Sequence, residues 1–180
     1  MRIEQLKIED YKQVIQNAIT NQEECLMYAV LPKNIIYKGK GEIDEKYAMA
    51  HNFEIYNSID FGNGIVGFKG DIVLVIIKKE GWNIGQTIIQ ELIDYLRSQG
   101  LNATEDNNDI LIDGIYKVAS YSSTNIGNNF IYTGVQVTFN ADAGIIRNIC
   151  KKNSVKIPKG LNEYNIDNQK ILKLITKRGE

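Results

Sequence analysis

The sequence predicts a single α+β domain with a mixed, mainly antiparallel β-sheet and packed helices. At 180 residues the chain is long enough for one hydrophobic core and too short for two ordinary domains. Its strand-like segments come mostly in neighbouring runs with helical patterns interspersed, an order that favours the α+β class. We therefore expect residues 1–180 to form one domain.

Charge and cysteine usage exclude several functional classes. The 21 basic and 22 acidic residues give a net charge of −1, and the basic residues are scattered, unlike the basic patch of a nucleic-acid-binding protein. No apolar run reaches the length of a membrane-spanning helix. Two cysteines and the single His51 leave no disulfide framework and no His/Cys metal site, so any metal would have oxygen ligands. We expect a cytoplasmic protein that binds small molecules, without a nucleic-acid or membrane partner.

Helical periodicity occurs in five segments. Asp10 can cap the first and Asp142 the fourth, because aspartate side chains accept hydrogen bonds from the first backbone N–H groups of a helix. Asn83, with Gln86 in capping-box position, opens the strongest pattern, which Gly100 ends. The predicted helices cover residues 11–19, 43–51, 83–100, 143–150 and 165–177.

Strand-forming segments fill most of the remaining chain. Residues 71–77 follow Gly70 as a continuous apolar, β-branched run, which predicts a central strand buried on both faces. The other predicted strands cover residues 25–31, 34–37, 53–59 and 130–139, and a hairpin covers residues 108–120.

The hairpin contains the most conspicuous charge. Asp113-Gly114 favours a primed turn between two strands, and Lys117 lies in an otherwise apolar segment of the return strand. Such a lysine can simply protect an edge strand from aggregation. It can also bind an anion, and the sequence around it offers no evident partner.

A second candidate element is the segment from Phe61 to Gly70, with four glycines in nine residues. Glycine lets the backbone approach a ligand closely or aim N–H groups at an anion. We expect a pocket between this loop and the hairpin strand that carries Lys117.

These motifs, taken in order, resemble the catalytic domain of the biotin and lipoate protein ligase family over residues 25–175. The segments Asp44–Ala48 and His51–Ile55 resemble the family's helix and ligand loop, and Gly62–Ile72 resembles its glycine-rich loop and following strand. Asn108-Asp109-Ile110, Asp113-Gly114 and Lys117-Val118-Ala119 resemble its Asn-Asp pair and lysine motif. The resemblance implies a fold like that of class II aminoacyl-tRNA synthetases and biotin ligases.

The resemblance also implies a mechanism. Family members activate a short acid such as lipoate, octanoate or biotin with ATP and Mg²⁺, then pass the acyl group to a lysine of a lipoyl- or biotinyl-type acceptor domain. Lys117 would be the catalytic residue at the acyl carboxylate and α-phosphate, and Asp109 the magnesium ligand. The implied substrate- and nucleotide-binding residues are Gly62, Asn63, Gly64, Ile65, Val66, Lys69, Asn108 and Ala119.

The sequence departs from the family pattern at the expected phosphate clamp. Tyr56-Asn57-Ser58 stands where lipoate ligases have an arginine pair, and Asn63 interrupts their triple glycine. Lys69 could replace part of the missing charge, as a point cation rather than a planar fork.

Two alternatives to a ligase follow from the same residues. Octanoyltransferases related to the family use a cysteine as an acyl-thioester nucleophile, and Cys150 falls near its place. The neighbouring isoleucines instead favour a buried, inert thiol. The other alternative is a ligase-like binding or interaction protein that kept the fold and lost catalysis.

Overall fold

A computed structural model describes residues 2–57, 64–79, 84–151 and 154–177. Within these ranges there are five α-helices and eleven strands. The helices are α1 (Tyr11–Thr20), α2 (Glu45–Ala50), α3 (Ile84–Ser98), α4 (Ala143–Cys150) and α5 (Asn168–Thr176). The strands are β1 (Arg2–Gln5), β2 (Cys25–Val30), β3 (Ile35–Tyr37), β4 (Glu54–Tyr56), β5 (Ile65–Gly67), β6 (Ile72–Lys79), β7 (Ala103–Asp106), β8 (Asp109–Ile112), β9 (Tyr116–Gly127), β10 (Phe130–Val137) and β11 (Ile157–Pro158).

The strands form one large and one small sheet. The large sheet has the order β1-β2-β6-β10-β9-β8-β7, with β11 added alongside β9. Its pairings are antiparallel except β1 with β2 and β11 with β9. The small sheet has the order β4-β3-β5. The predicted α+β class with a mixed, mainly antiparallel sheet is confirmed.

Strand β6 lies between β2 and β10 and is buried on both faces, as its apolar run predicts. Ile72, Leu74 and Ile76 face a core closed by α3 and α5. The alternate residues Val73, Val75 and Ile77 face a second core closed by α1 and the small sheet. Because successive side chains of a strand point to opposite faces, only a continuous apolar run can serve both cores.

The helix caps agree with the sequence at one of the two predicted aspartates. The Asp142 carboxylate accepts a hydrogen bond from the backbone N–H of Ile145 at 2.9 Å. The prediction for Asp10 is wrong, because its side chain makes no capping bond. It ends a 3₁₀ turn that runs directly into α1, so its backbone lacks the extended conformation of a capping residue. Asn83 lies outside the described residues.

Element boundaries differ most where a strand forms by pairing rather than from a strong local pattern. Strands β1 and β11 pair with β2 and β9, which are distant in sequence, whereas β7 forms a hairpin with the adjacent β8. The return strand of the predicted hairpin continues to Gly127 because β10 pairs with it from Ala119 to Gly127. The last helix begins only at Asn168, where Asp167 caps it by accepting from the Gln169 N–H at 2.7 Å. None of the described helices combines the length and the apolar character needed to cross a membrane.

Candidate active site

The hairpin formed by β8 and β9 supplies the charged end of the candidate site. Asp113 and Gly114 both have positive φ, 54° and 70°, as the predicted primed turn requires. The Lys117 ammonium lies 2.9 Å from Oδ1 of Asp109 on the neighbouring strand. The expectation that the local sequence offers Lys117 no anionic partner is therefore wrong.

A β-bulge turns Lys117 toward this aspartate. The register between β8 and β9 shifts between Ile110 and Leu111, which leaves Val118 as the extra residue on β9. Val118 and Ala119 both pack into the core under α3 and α5. Lys117 and Ser120, three residues apart, consequently share the opposite face, where strict alternation would have separated them.

Lys156 is a second cation at the same carboxylate, and sequence reasoning missed it. Its ammonium lies 3.0 Å from Oδ2 of Asp109 and 2.9 Å from Oδ2 of Asp106. It also donates to the Asp106 carbonyl at 2.9 Å. These bonds to Asp106 and Asp109 raise the pKa of Lys156. Pairing of β11 with β9 brings the Lys156 segment here from a distant part of the chain.

An elongated cleft of about 470 Å³ opens beside these charges. One wall is the face of β9 and β10 that points away from α3, and β5 of the small sheet forms the opposite wall. Its lining includes Tyr11, Ile65, Lys117, Tyr132, Gly134 and Gln136.

Strand β5 is held against the large sheet by Gln136. The side-chain amide of Gln136 donates to the Val66 carbonyl at 2.8 Å and so bridges the two sheets at the cleft. Gly64 precedes β5 with a φ of +79°, and a Cβ there would lie 2.5 Å from the backbone N of Gly39. Glycine is therefore required at Gly64, as expected for a segment where two backbones approach closely.

A buried carboxylate fixes the base of the same wall. Asp71 is fully buried and accepts backbone N–H bonds from Phe68 at 2.9 Å, Phe139 at 2.7 Å and Asn140 at 3.1 Å. Burial raises the pKa of Asp71 from its ordinary value of 3.8 to about 6, although these donors and the Gln136 side chain lower it. Asp71 thereby ties the turn after β5 to the end of β10.

A pair of tyrosines forms the end of the cleft remote from Lys117. The hydroxyls of Tyr11 and Tyr132 lie 2.7 Å apart, and both side chains are buried. Burial raises the pKa of Tyr132 to about 12 and that of Tyr11 well above its ordinary range, so both hydroxyls stay protonated at neutral pH. The Tyr11 ring lies 4.8 Å from that of Tyr37, which stacks at 4.8 Å on Tyr56.

The structure brings most of the predicted site residues together. Gly64, Ile65, Val66, Asn108, Asp109 and Lys117 all line the cleft. Gly62 and Asn63 lie outside the described residues.

Three predicted residues lie away from the cleft lining. Lys69 is exposed, and its backbone bonds to the side chains of Asn34 and Asn140. Ala119 is buried in the core on the opposite face of the sheet. Cys150 is half-buried on α4, where it packs against the apolar cluster around Ile36 and Phe53.

The residues that sequence reasoning missed had only weak signals. Tyr132, Gly134 and Gln136 occupy alternate positions of a predicted strand, so they share a face, but nothing local shows which face meets a cleft. Tyr11 carries the same ambiguity, because its apolar helix face was expected only to cover a sheet. Lys156 lies in a segment without periodicity.

The arrangement suits an elongated ligand with an anionic head. Lys117 and Lys156 flank Asp109 at one end, whereas Ile65, Val66 and the tyrosine rings supply apolar surface toward the other. Ammonium groups bind carboxylate and phosphate oxygens as compact point charges. The cleft can therefore hold an acid whose charged group lies at Lys117 and whose chain runs toward Tyr132.

Comparison with solved structures identifies the fold. LipL1 of P. falciparum, solved in complex with lipoate, superposes with a TM-score of 0.77 at 12% identity over 98% of this chain, which spans 60% of that protein. Lipoate-protein ligase A bound with ATP gives a TM-score of 0.74 at 13% identity, covering 96% of this chain and 81% of the ligase. The biotin protein ligase of Leishmania major with biotinyl-5-AMP gives 0.55 at 9% identity, covering 96% and 69%.

The chain thus has the fold of lipoate-protein ligases and biotin protein ligases. No protein-family model matches the sequence, and neither does any curated protein. At these sequence identities the structural likeness shows the fold alone.

Proposed function

We propose that this protein is an acyl-adenylate-forming ligase that activates a short carboxylic acid with ATP and transfers the acyl group to a lysine of an acceptor domain. The observation that carries the proposal is Lys117. Its ammonium is held at 2.9 Å by Asp109 at the charged end of an elongated, partly apolar cleft, in the fold of lipoate and biotin ligases. Lipoate, octanoate and biotin are the candidate acids.

The reaction has two steps. A carboxylate oxygen attacks the α-phosphorus of ATP and pyrophosphate leaves, which gives the acyl-adenylate. The amine of the acceptor lysine then attacks the acyl carbonyl carbon, and AMP leaves. In both steps negative charge gathers on oxygens near the acyl carboxyl and the α-phosphate. A preorganised ammonium such as Lys117 stabilises this charge more in the transition state than in the ground state.

Lys156 is better placed than Lys69 to supply the positive charge that the missing arginine pair would provide. Its ammonium lies within 3.0 Å of the same Asp109 carboxylate that holds Lys117, and Asp109 lines the cleft although neither Lys156 nor Lys69 does. Together with Asp106 and Asp109 the two lysines form a formally neutral cluster, in which the two ammonium groups are the donors available to phosphate oxygens. The side chains of Lys156 and Asp109 are only 19% and 15% exposed, so solvent screens these charges less than surface pairs.

The proposed magnesium site fits this charge cluster in donor type, but a metal ion there would have to replace an ammonium group, because Lys117 and Lys156 bind both oxygens of Asp109. Asp106 and Asp109 offer carboxylate oxygens, which Mg²⁺ prefers, and it usually combines one or two carboxylates with substrate phosphates. The described residues contain no group of three or more His, Cys, Asp or Glu side chains able to hold a metal unaided. Bound there with the nucleotide, the ion would neutralise phosphate charge.

Pyrophosphate release tests the proposal. Incubation with ATP, Mg²⁺ and lipoate, octanoate or biotin is expected to release pyrophosphate and to form an acyl-adenylate detectable by mass spectrometry. Lys117→Ala should lower the rate by about a hundredfold or more, the usual cost of losing one charge-stabilising donor. Lys151→Ala is the matched control, because it removes an exposed lysine outside the cleft lining and should leave the rate unchanged.

Acid and nucleotide binding without pyrophosphate release would instead support a non-catalytic binding protein. If both lysine variants lost the same fraction of the pyrophosphate-release rate, the catalytic role proposed for Lys117 would be wrong. Acyl transfer through a thioester on Cys150 is a separate prediction, because Cys150 packs outside the cleft lining. It predicts that intact-mass measurement will find an acyl adduct on the wild-type protein and none on Cys150→Ser.

A further inference from the structure

The Tyr132 side chain closes the end of the cleft that is remote from Lys117. Among the described residues of β10 that line the cleft, Tyr132 lies nearest the start of the strand and farthest from the Lys117 end. Its hydroxyl folds back along the strand and lies 2.8 Å from the position that a Cβ would occupy at Gly134. Glycine at this position therefore makes room for the hydroxyl over the cleft floor.

The closure is rigid because it is braced from both sides. The Tyr11 hydroxyl binds that of Tyr132 at 2.7 Å, and the Tyr11 ring rests against Tyr37. Tyr11 and Tyr132 are 0% and 2% exposed, so neither ring can swing into solvent without opening the core between α1 and the sheet. A buried hydroxyl pair also has a cost of separation, because each partner would lose a hydrogen bond.

The strand register sets the scale of the sheet surface beneath the cleft. Asp109 pairs with Ser120, Ser120 pairs with Gln136, and Gly134 lies two residues before Gln136 in β10. Two strand spacings of about 4.8 Å and two residue rises of about 3.3 Å place the Asp109 and Gly134 backbones about 12 Å apart. The space between the Lys117 ammonium and the Tyr132 hydroxyl therefore admits only a chain of limited length.

We propose that the Tyr132 hydroxyl, braced by Tyr11 and accommodated by Gly134, sets the maximum chain length of the acid, so that the cleft accepts medium-chain acids and excludes long-chain ones. This inference rests on the proposed function and deepens it. Tyr132 is a specificity-determining residue that acts at the chain end, far from the reacting carboxylate. Gly134 contributes to the same limit, because a Cβ there would lie 2.8 Å from the Tyr132 hydroxyl and would displace it.

The test is titration calorimetry of the whole chain with sodium salts of straight-chain acids from butyrate to dodecanoate, without nucleotide. Wild-type affinity should rise about fourfold per added methylene, the value of burying one methylene, and fall once the chain reaches the tyrosine pair. Tyr132→Leu should move the affinity maximum to longer acids and raise the dodecanoate-to-octanoate affinity ratio about tenfold or more.

Gly134→Ala should displace the Tyr132 hydroxyl, because its Cβ would lie 2.8 Å from that oxygen, and should therefore move the affinity maximum. It keeps the test informative if Tyr132→Leu fails to fold. Val137→Ala is the matched control, because this residue of β10 packs into the opposite core and should leave the maximum in place. An unchanged maximum in either folded cleft variant would overturn the inference, as would a maximum displaced equally by the control.

Failure of the inference can be told apart from failure of the proposed function. Pyrophosphate release with octanoate, together with an unshifted chain-length maximum, removes only the role of Tyr132. A wild-type protein that binds none of the acids overturns the inference, and the pyrophosphate assay then decides the proposed function independently.

Discussion

The buried carboxylate of Asp71 is expected to make folding stability depend on pH. It is fully buried between the turn after β5 and the end of β10, where three backbone N–H groups bind it. The informative perturbation is Asp71→Asn, which keeps the shape of the side chain and removes its titration. The amide retains one oxygen as acceptor and loses the bond from the Phe68 N–H, a cost that does not vary with pH.

The magnitude follows from the pKa of Asp71 in the two states. Burial raises it from 3.8 to about 6 in the folded protein, whereas the unfolded chain keeps the ordinary value. At about 1.4 kcal/mol per pKa unit, this difference corresponds to about 3 kcal/mol. Because the folded pKa is the higher one, the folded state binds the proton more tightly. The contribution is therefore fully present below pH 3.8 and is lost as pH rises through about 6.

Urea unfolding of both proteins at a series of pH values measures this contribution. Other carboxylates titrate equally in both proteins, so the difference between their free energies of unfolding isolates Asp71. From about pH 3 to about pH 8 that difference should shift by about 3 kcal/mol in favour of the asparagine variant. A difference that stays constant over this range would refute the reasoning and would mean that the three N–H donors fully offset the burial.

Three further predictions concern the walls of the cleft. Lys156→Met should lower the free energy of unfolding by about 1 kcal/mol, since Asp109 keeps only one ammonium partner, and urea unfolding measures the loss. Gln136→Met should loosen β5, because it removes the amide that donates to this strand, and faster hydrogen exchange of the β5 amides would show it. Gly67→Ala should destabilise the fold by about 1–3 kcal/mol in thermal or urea unfolding, because its Cβ would lie 2.3 Å from Leu31 Cδ1.

Each of these has its own control or contrary result. Lys151→Met removes an exposed lysine whose ammonium lies 3.8 Å from the Asp44 carboxylate, and should change stability much less than Lys156→Met. Unaltered exchange of the β5 amides in Gln136→Met would show that β3 alone holds this strand. A fully stable Gly67→Ala would mean that the Leu31 side chain can rotate away without cost.

Local patterns predicted the elements whose causes are local. The apolar run of β6, the Asp113-Gly114 turn and the Asp142 cap each depend on residues within a few positions of one another, and each is confirmed. Asp10 is the exception, since the preceding 3₁₀ turn changes its backbone conformation. Resemblance to a family added the fold, which the structural comparisons confirm.

The candidate site was only half visible in the sequence. Lys117 and Asp109 belong to one hairpin motif, so the sequence singled out both, although it did not show that they form an ion pair. Lys69 was expected to replace part of the charge of the missing arginine pair. The cation that the structure places beside Lys117 and Asp109 is Lys156, 47 residues from Asp109.

The sequence by itself determined which residue types were available: a lysine in an apolar hairpin, glycines where backbones meet, and an apolar strand able to serve two cores. Tertiary structure alone decided what these residues face. A single bulge at Val118 turns Lys117 into the cleft, and a hydroxyl pair 121 residues apart closes its far end. The physical reason is that side-chain direction along a strand depends on register, and register is set by pairing between strands, with the neighbouring β8 at the Val118 bulge and with strands that are distant in sequence elsewhere in the sheet.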